Sequence, residues 1–329
     1  MKTNKMIVSA VASVVVTGAW ATDWYVDAGN GNDQWDGSTA TVPTQEQIDA
    51  IAAGDSIPGP RRTLHAMMSD EKVGVGDTVW AAEGDYNEGG TVYGTYKTVN
   101  RVQVKAGVTL RASGLRDNTF IPGSGGSYST DPVQNAYSNG AVRCVRFLAP
   151  STDAECGYGI VKGFTLKNGR TCKGEDKNDN DAFAGGAWGN GLLVECDLVN
   201  NGCNYESRGG TIYKTTALRC HFISCNRGYI GYSSGVKVID SLISGGVGFY
   251  YYCNAYNCTF EGSCFVRLSN TYNCFFVGTG ASSSKQKNAG ENPVKHYNAF
   301  SRSLFHETAC EPDSKCRVVT AEETPYHSE

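Results

Sequence analysis

Charge is sparse in this chain, methionine is sparser still, and long apolar runs are absent after the first sixteen residues. Only 19% of the 329 residues are charged, and Met occurs 4 times. Lys and Arg number 29 against 33 Asp and Glu, a net charge of −4 with no basic stripe, which excludes a nucleic-acid partner. The single apolar run, residues 6–16, is too short to span a membrane, and no second candidate follows it. No C-x-x-C pair occurs among the cysteines, so a zinc site has no ligand framework.

What the chain does contain is Gly 40 and Tyr 18. Abundant glycine and aromatics with few helix formers indicate an all-β protein rich in turns. The length would permit two domains, but a repeat array can use it as one. At the start, Lys2 and Lys5 precede the apolar run, and Ala19-Trp20-Ala21 supplies an A-x-A cleavage site. Residues 1–21 therefore read as a secretory signal peptide, and the mature chain is expected to be secreted, periplasmic or displayed at the cell surface.

A short phrase recurs through the second half: Val194-x-Cys196-x-Leu198, Leu218-x-Cys220-x-Phe222, Val238-x-Asp240-x-Leu242, Tyr256-x-Cys258-x-Phe260 and Tyr272-x-Cys274-x-Phe276, with a looser Phe164-x-Leu166 before them. Measured between the last residues of successive copies, the steps are 32, 24, 20, 18 and 16 residues. Each copy alternates with period two and is followed by Gly, Asn or Ser, as a short strand with one buried face requires. Strands and turns recurring at this spacing, with no helical pattern between, are the mark of a β-solenoid. The phrases place Leu198, Phe222, Leu242, Phe260 and Phe276 in one interior column, with Cys196, Cys220, Cys258 and Cys274 in a second and Asp240 among them.

Thirteen cysteines in an exported chain raise the question of disulfides. Stacked ~4.8 Å apart, small buried thiols suit an interior column, although that spacing also permits a disulfide. The count is odd, so at least one thiol stays free or pairs outside the chain. Cys310 and Cys316, on the polar tail, are the better disulfide candidates.

The N-terminal segment carries its own phrases: Trp24-Tyr25-Val26-Asp27, Gly31-Asn32-Asp33, Asp36-Gly37-Ser38, Pro60-Arg61-Arg62-Thr63-Leu64-His65-Ala66-Met67, Gly76-Asp77-Thr78-Val79-Trp80 and Glu83-Gly84-Asp85-Tyr86-Asn87-Glu88. Together with the rung-like Ile160–Gly169, these resemble the N-terminal cap and first coils of right-handed parallel β-helix proteins of the pectate-lyase-like superfamily, over roughly residues 24–281. Residues 39–59 are longer than that family's usual linker, and Ala82-Glu83-Gly84-Asp85-Tyr86 replaces its more usual x-P-G-T-Y. The resemblance implies an all-β, single-stranded right-handed parallel β-helix of about ten rungs, closed by a cap with a short helix. Leu64, Met67 and Met68, at i, i+3 and i+4, are the buried stripe of that helix. The expected divisions are 22–90 for the cap and first rung, 91–281 for the helix, and 282–329 for a last rung or cover and polar tail.

In a solenoid, function lies on the outer wall. Outward alternation puts Glu195 beside Arg219 and Asp197 beside His221 on the next rung, a square of two carboxylates, a guanidinium and an imidazole. Two carboxylates suit acid/base glycoside hydrolysis. An Arg and a His suit a lyase, neutralising a uronate carboxylate and abstracting a proton. Plain cross-strand charge pairing explains the same four residues. Trp188, Tyr250, Tyr251 and Tyr252 are candidate sugar platforms, or else lateral aromatic stacks. Asp176, Asp179 and Asp181 are candidate Ca²⁺ ligands, but the EF-hand pattern fails because Asp181 stands where Gly is needed and Ala187 where Glu is needed.

Two functions remain open. One is an exported enzyme, a lyase or glycoside hydrolase acting on an acidic polysaccharide. The other is a non-catalytic, adhesin-like or structural surface protein that binds polysaccharide. The resemblance implies polysaccharide as the partner in both.

Overall fold

The computed structural model describes residues 21–93, 97–125, 140–149, 157–172, 183–203, 210–225, 229–231, 235–245, 248–250, 253–261, 265–267, 270–277, 282–283, 296–301 and 317–318. Strand pairs with strand in parallel, coil upon coil. A first stack runs through Asp23–Val26, Thr78–Ala81, Thr109–Ala112, Gly159–Lys162, Gly191–Val194, Thr216–Leu218, Lys237–Ile239 and Asn254–Tyr256. A second runs through Gly84–Asp85, Thr119–Pro122, Thr165–Lys167, Asp197–Val199, His221–Ile223, Leu242–Ser244 and Thr259–Glu261. The two stacks share the long strands Asn270–Val277 and His296–Ser301, which makes them one 18-stranded sheet.

A third side is built from Val99–Val104, Val142–Phe147, Ala187–Trp188 and Ile212–Tyr213, and continues as a separate 4-stranded sheet through Tyr229–Gly231, Gly248–Tyr250, Phe265–Arg267 and Ser282–Ser283. Each turn of the chain visits the first, second and third sides in order, and the architecture is a parallel β-helix. Its crossovers are of the kind for which a right-handed path is the rule.

The repeated phrase is two half-strands joined at a corner. Val194 ends a first-side strand and Asp197 begins a second-side one. Between them Glu195 has φ +54°, and Arg219, Asp240 and Asn257 take φ of +52°, +48° and +51° at the same point of later coils. In these coils one left-handed residue swings the chain from the first stack to the second. The inward residue of the first half is therefore Leu193, fully buried, while Val194 lies on the outer side of that strand.

Register corrects the interior column. Leu198 pairs with Phe222, Phe222 with Ile243, Ile243 with Phe260 and Phe260 with Phe276. Leu198, Phe222 and Ile243 are each 0% exposed. Leu242, expected in this column, instead pairs with His221 and Thr259 on the outer face, half-buried. The adjacent apolar residues Leu242 and Ile243 allow either phase when read as a pattern, and a one-residue slip turns a strand over.

The same slip misplaces Asp240. It is exposed at the corner, where Asn257 Nδ2 donates to its Oδ1 at 3.0 Å, and Ser241 occupies the buried slot. That slot has a shared chemistry. Cys196, Cys220 and Cys258 each direct Sγ to the carbonyl two residues back, at 3.3, 3.4 and 3.2 Å, and Ser241 Oγ does so at 2.7 Å. Each of these carbonyls already accepts the corner N–H of the preceding coil, at 2.9–3.0 Å, and the small side chain adds a second hydrogen bond to its other lone pair. The nine described cysteines are all buried; Cys310 and Cys316 lie outside the described residues. Because Ser241 already fills this role, Cys220→Ser is expected to change unfolding free energy by less than about 1 kcal/mol, measured by urea denaturation.

The cap follows its sequence signals. Leu64–Ser69 is a helix whose Thr63 side chain accepts from Ala66 N, and it buries Leu64, Met67 and Met68 against the first coil. Tyr86 anchors the cap with a hydroxyl whose single hydrogen is shared between the carbonyls of Ala82 and Val26, at 2.9 and 3.1 Å. The long 39–59 segment contains a second short helix, Gln45–Asp49, opened by a Thr44/Gln47 capping box and burying nothing. That T-x-x-Q signal stood in the sequence, but with no apolar stripe behind it.

Candidate functional site

The outer face of the second sheet carries a polar column. Phe120, Thr165, Asp197, His221 and Leu242 pair in succession, so their side chains project from one strip of the wall. Over this strip lies Arg116, at the start of the Arg116–Asn118 turn, whose carbonyl accepts from Thr165 Oγ1 at 2.9 Å. Arg116 Nε stands 3.2 Å from Asp197 Oδ2. Asp197 is only 8% exposed, and its Oδ1 is buried with no hydrogen-bond partner among the described residues. Burial raises its pKa above the ordinary 3.8, opposed by the charges of Arg116 and His221.

His221 is half-buried, and desolvation lowers its pKa below 6.5, against an upward pull from Asp197 and a weaker one from Glu261; Arg116 adds to the lowering. Its Nε2 lies 2.9 Å from Ser244 Oγ, and that hydroxyl donates to Phe222 O at 3.4 Å. A serine hydrogen directed at Phe222 O goes with the Nε2–H tautomer, and one directed at Nε2 goes with the Nδ1–H tautomer. Burial thus favours the neutral form of both neighbours, a carboxyl and an imidazole on adjacent strands. An imidazole whose pKa is lowered and a carboxyl whose pKa is raised are the two groups that taking a proton from one atom of a bound molecule and returning one to another requires.

Glu195 and Arg219 form a different group. Arg219 Nη2 donates to Glu195 Oε1 at 2.8 Å, and Lys162 Nζ reaches Oε2 at 3.2 Å. These hydrogen bonds, first from Arg219 and then from Lys162, hold the Glu195 carboxyl below its ordinary pKa. All three side chains are about a third to a half exposed. The expected square is therefore two pairs. Glu195 and Arg219 are corner residues in left-handed conformation, and Glu195 does not share a strand with Asp197. Reading the phrase as one strand hid that bend. It also hid Ser244, the outward residue after Leu242 on the coil that follows His221, and Arg116, which reaches Asp197 from a loop two coils earlier.

Trp188 stands on the third side, away from this strip, and pairs in register with Arg146 and Tyr213. The Arg146 guanidinium is held between the rings of Trp188 and Tyr93, 3.6 Å from each centroid. One face of the indole is thereby taken. Phe183 and Tyr213 stack beside it with centroids 4.5 Å apart. Tyr250 is described only as the end of the strand Gly248–Tyr250, while Tyr251, Tyr252, Asp176, Asp179 and Asp181 lie outside the described residues. Among the described residues no cluster of three or more His, Cys, Asp or Glu is arranged to hold a metal, and no helix is long and apolar enough to cross a membrane.

No family model matches the sequence, and no curated protein matches it. Among solved structures, the chain is similar to the GH136 lacto-N-biosidase from Eubacterium ramulus, at 11% identity over 91% of this chain and 67% of that one, with a TM-score of 0.39. It is similar to a rhamnogalacturonan lyase at 14% identity over 86% of this chain and 68% of that one, TM-score 0.38. A mannuronic acid specific polysaccharide family 6 lyase from human gut microbiota matches at 10% identity over 92% and 83% of the two chains, TM-score 0.32. All three TM-scores fall below 0.5, so the functional reading rests on this chain's own residues. The parallel β-helix is the architecture of the pectate-lyase-like proteins that its N-terminal phrases resemble.

Proposed function

We propose that this is an exported carbohydrate-active protein that binds an acidic polysaccharide on the outer wall of the second sheet and cleaves it by elimination. The observation that carries the reading is the buried carboxyl oxygen of Asp197, without a partner among the described residues, beside a His221 whose pKa burial lowers. Surface charge pairing would leave both groups solvated and ionised. In the proposed reaction the neutral His221 imidazole takes the proton next to the uronate carboxylate, the bond to the leaving oxygen breaks as the double bond forms, and Asp197 returns a proton to that oxygen. The cation for that carboxylate is Arg116, whose side chain is 41% exposed. A bound anion that draws Arg116 away also removes the charge that most lowers the Asp197 pKa. Substrate binding would then push Asp197 toward its acid form. One His, one Arg and one carboxyl fit elimination better than hydrolysis, which needs two carboxylates flanking the bond.

The test is a screen of acidic polysaccharides with the mature protein, read by ultraviolet absorbance of the unsaturated product. Product that disappears in His221→Ala supports the reading. Binding without product from any polymer would favour the adhesin-like alternative.

The pH profile has a definite sign. His221 must be neutral, and its folded pKa lies below 6.5, so activity falls on the acid side as pH drops through that value. Asp197 must be protonated, and its folded pKa lies above 3.8, so activity falls as pH rises through that one. Arg116, Asp117 and Glu261 are the other charged groups felt by the pair. The expected profile is a bell with its maximum on the acid side of neutral, measured as initial rate against pH.

A further inference from the structure

The outer face of the first sheet carries a feature that the Asp197 strip does not use. Its outward column begins Tyr25, Trp80, Arg111, Lys162, paired in that order. Tyr25 and Trp80 form the floor of a cleft whose walls are Ala40, Pro60, Asp27 and Ser113. It holds about 150 Å³, the liquid share of roughly five waters, which a single pyranose ring can replace. Ala40 comes from the 39–59 segment that is longer than expected, so the insertion builds one wall.

The polar groups around the cleft are specific. Trp80 is fixed in place by Nε1 donating to Asp23 Oδ1 at 2.8 Å. The Arg111 guanidinium lies over one face of the Trp80 ring, 4.7 Å from its centroid, and takes that face as Arg146 does at Trp188. A sugar therefore meets Tyr25 and the part of the indole that Arg111 leaves open. Arg111 is exposed and has no ion-pair partner among the described residues. Lys162, the next residue in the column, is engaged with Glu195. A sugar ring stacks its C–H face on an aromatic floor. One column step of ~4.8 Å then brings a substituent of that ring to Arg111, whose planar fork suits a carboxylate.

We propose that this cleft is a binding subsite for one uronate residue of an acidic glycan, with the ring on Trp80 and Tyr25 and the carboxylate on Arg111. The proposal names a substrate-binding element for the reading above, yet it stands on other residues and survives if Asp197 proves inert. The experiment is calorimetric titration with galacturonate, glucuronate, mannuronate and guluronate oligosaccharides, and with neutral oligosaccharides of equal length, using wild-type protein, Trp80→Ala, Arg111→Glu and Asp197→Asn. Trp80 and Arg111 point outward, so thermal melts should show both variants folded.

At least one uronate series is expected to bind in preference to the neutral sugars. Trp80→Ala should weaken that binding about three- to tenfold, the range of one aromatic contact. Arg111→Glu should abolish the preference for the acidic sugar, and Asp197→Asn should retain tight binding. Failure of every uronate to bind, or binding indifferent to both Trp80→Ala and Arg111→Glu, overturns the proposal. Binding that follows Trp80 and Arg111 in a protein that releases no product keeps the subsite and removes only the elimination chemistry.

Discussion

Asp197→Asn is expected to give a folded protein, more stable than wild type at neutral pH, that has lost turnover by about a hundred- to ten-thousandfold. The stability part follows from linkage. The folded pKa of Asp197 is raised above its unfolded value by burial, so wild type is relatively stable below pH 3.8 and loses stability as pH rises through the folded pKa. An amide of the same shape has no charge to bury. The variant should therefore match wild type in acid and exceed it at neutral pH by about 1 kcal/mol, the scale of a poorly satisfied buried polar group. Arg116, already partly exposed, can return to water when its partner is neutralised. Urea melts at the two pH values, beside rates on the selected polysaccharide, measure both parts. An Asp197→Asn protein that is less stable at neutral pH, or as active as wild type, would remove the strained carboxyl from the account.

Phe222→Ala is expected to cost about 3–5 kcal/mol. Phe222 is fully buried at mid-helix, with Leu198 above it and Ile243 below. In a stacked coil the neighbours are held at the strand spacing by their own backbone ladders, so the wall cannot collapse into the space a phenyl ring leaves. Leu242→Ala makes the control. A column containing Leu242 would make it comparably damaging, whereas its place on the half-buried outer face predicts a loss well below that of Phe222→Ala. Equal losses would mean that the register between Phe222 and Ile243 is wrong.

The parallel β-helix, the capping helix and most interior residues could be read directly, because burial on one face of a strand writes a period of two that survives any local detail. The corners could not. Glu195, Arg219 and Asp240 adopt a conformation usually left to glycine or asparagine, whereas Asn257 and Gly163, at equivalent points, carry the residue types that announce it. Without the corner, Val194 to Leu198 looks like one strand, and Glu195 falls on the same face as Asp197. Where two apolar residues adjoin, as at Leu242 and Ile243, the pattern alone cannot choose the phase; the hydrogen-bond ladder chooses it. Asp197 and His221 were legible as stacked neighbours because both lie in the second half of the phrase, where the alternation holds. Arg116 was not, since a loop residue from another coil leaves no periodic trace.

The most direct measurement pairs the pH profile of product release with the titration of His221 followed by NMR, in wild type and in His221→Ala. The account predicts an imidazole midpoint below 6.5 that coincides with the acid limb of the rate, and no product from the variant. A midpoint at or above 6.5, or full turnover by His221→Ala, would contradict it.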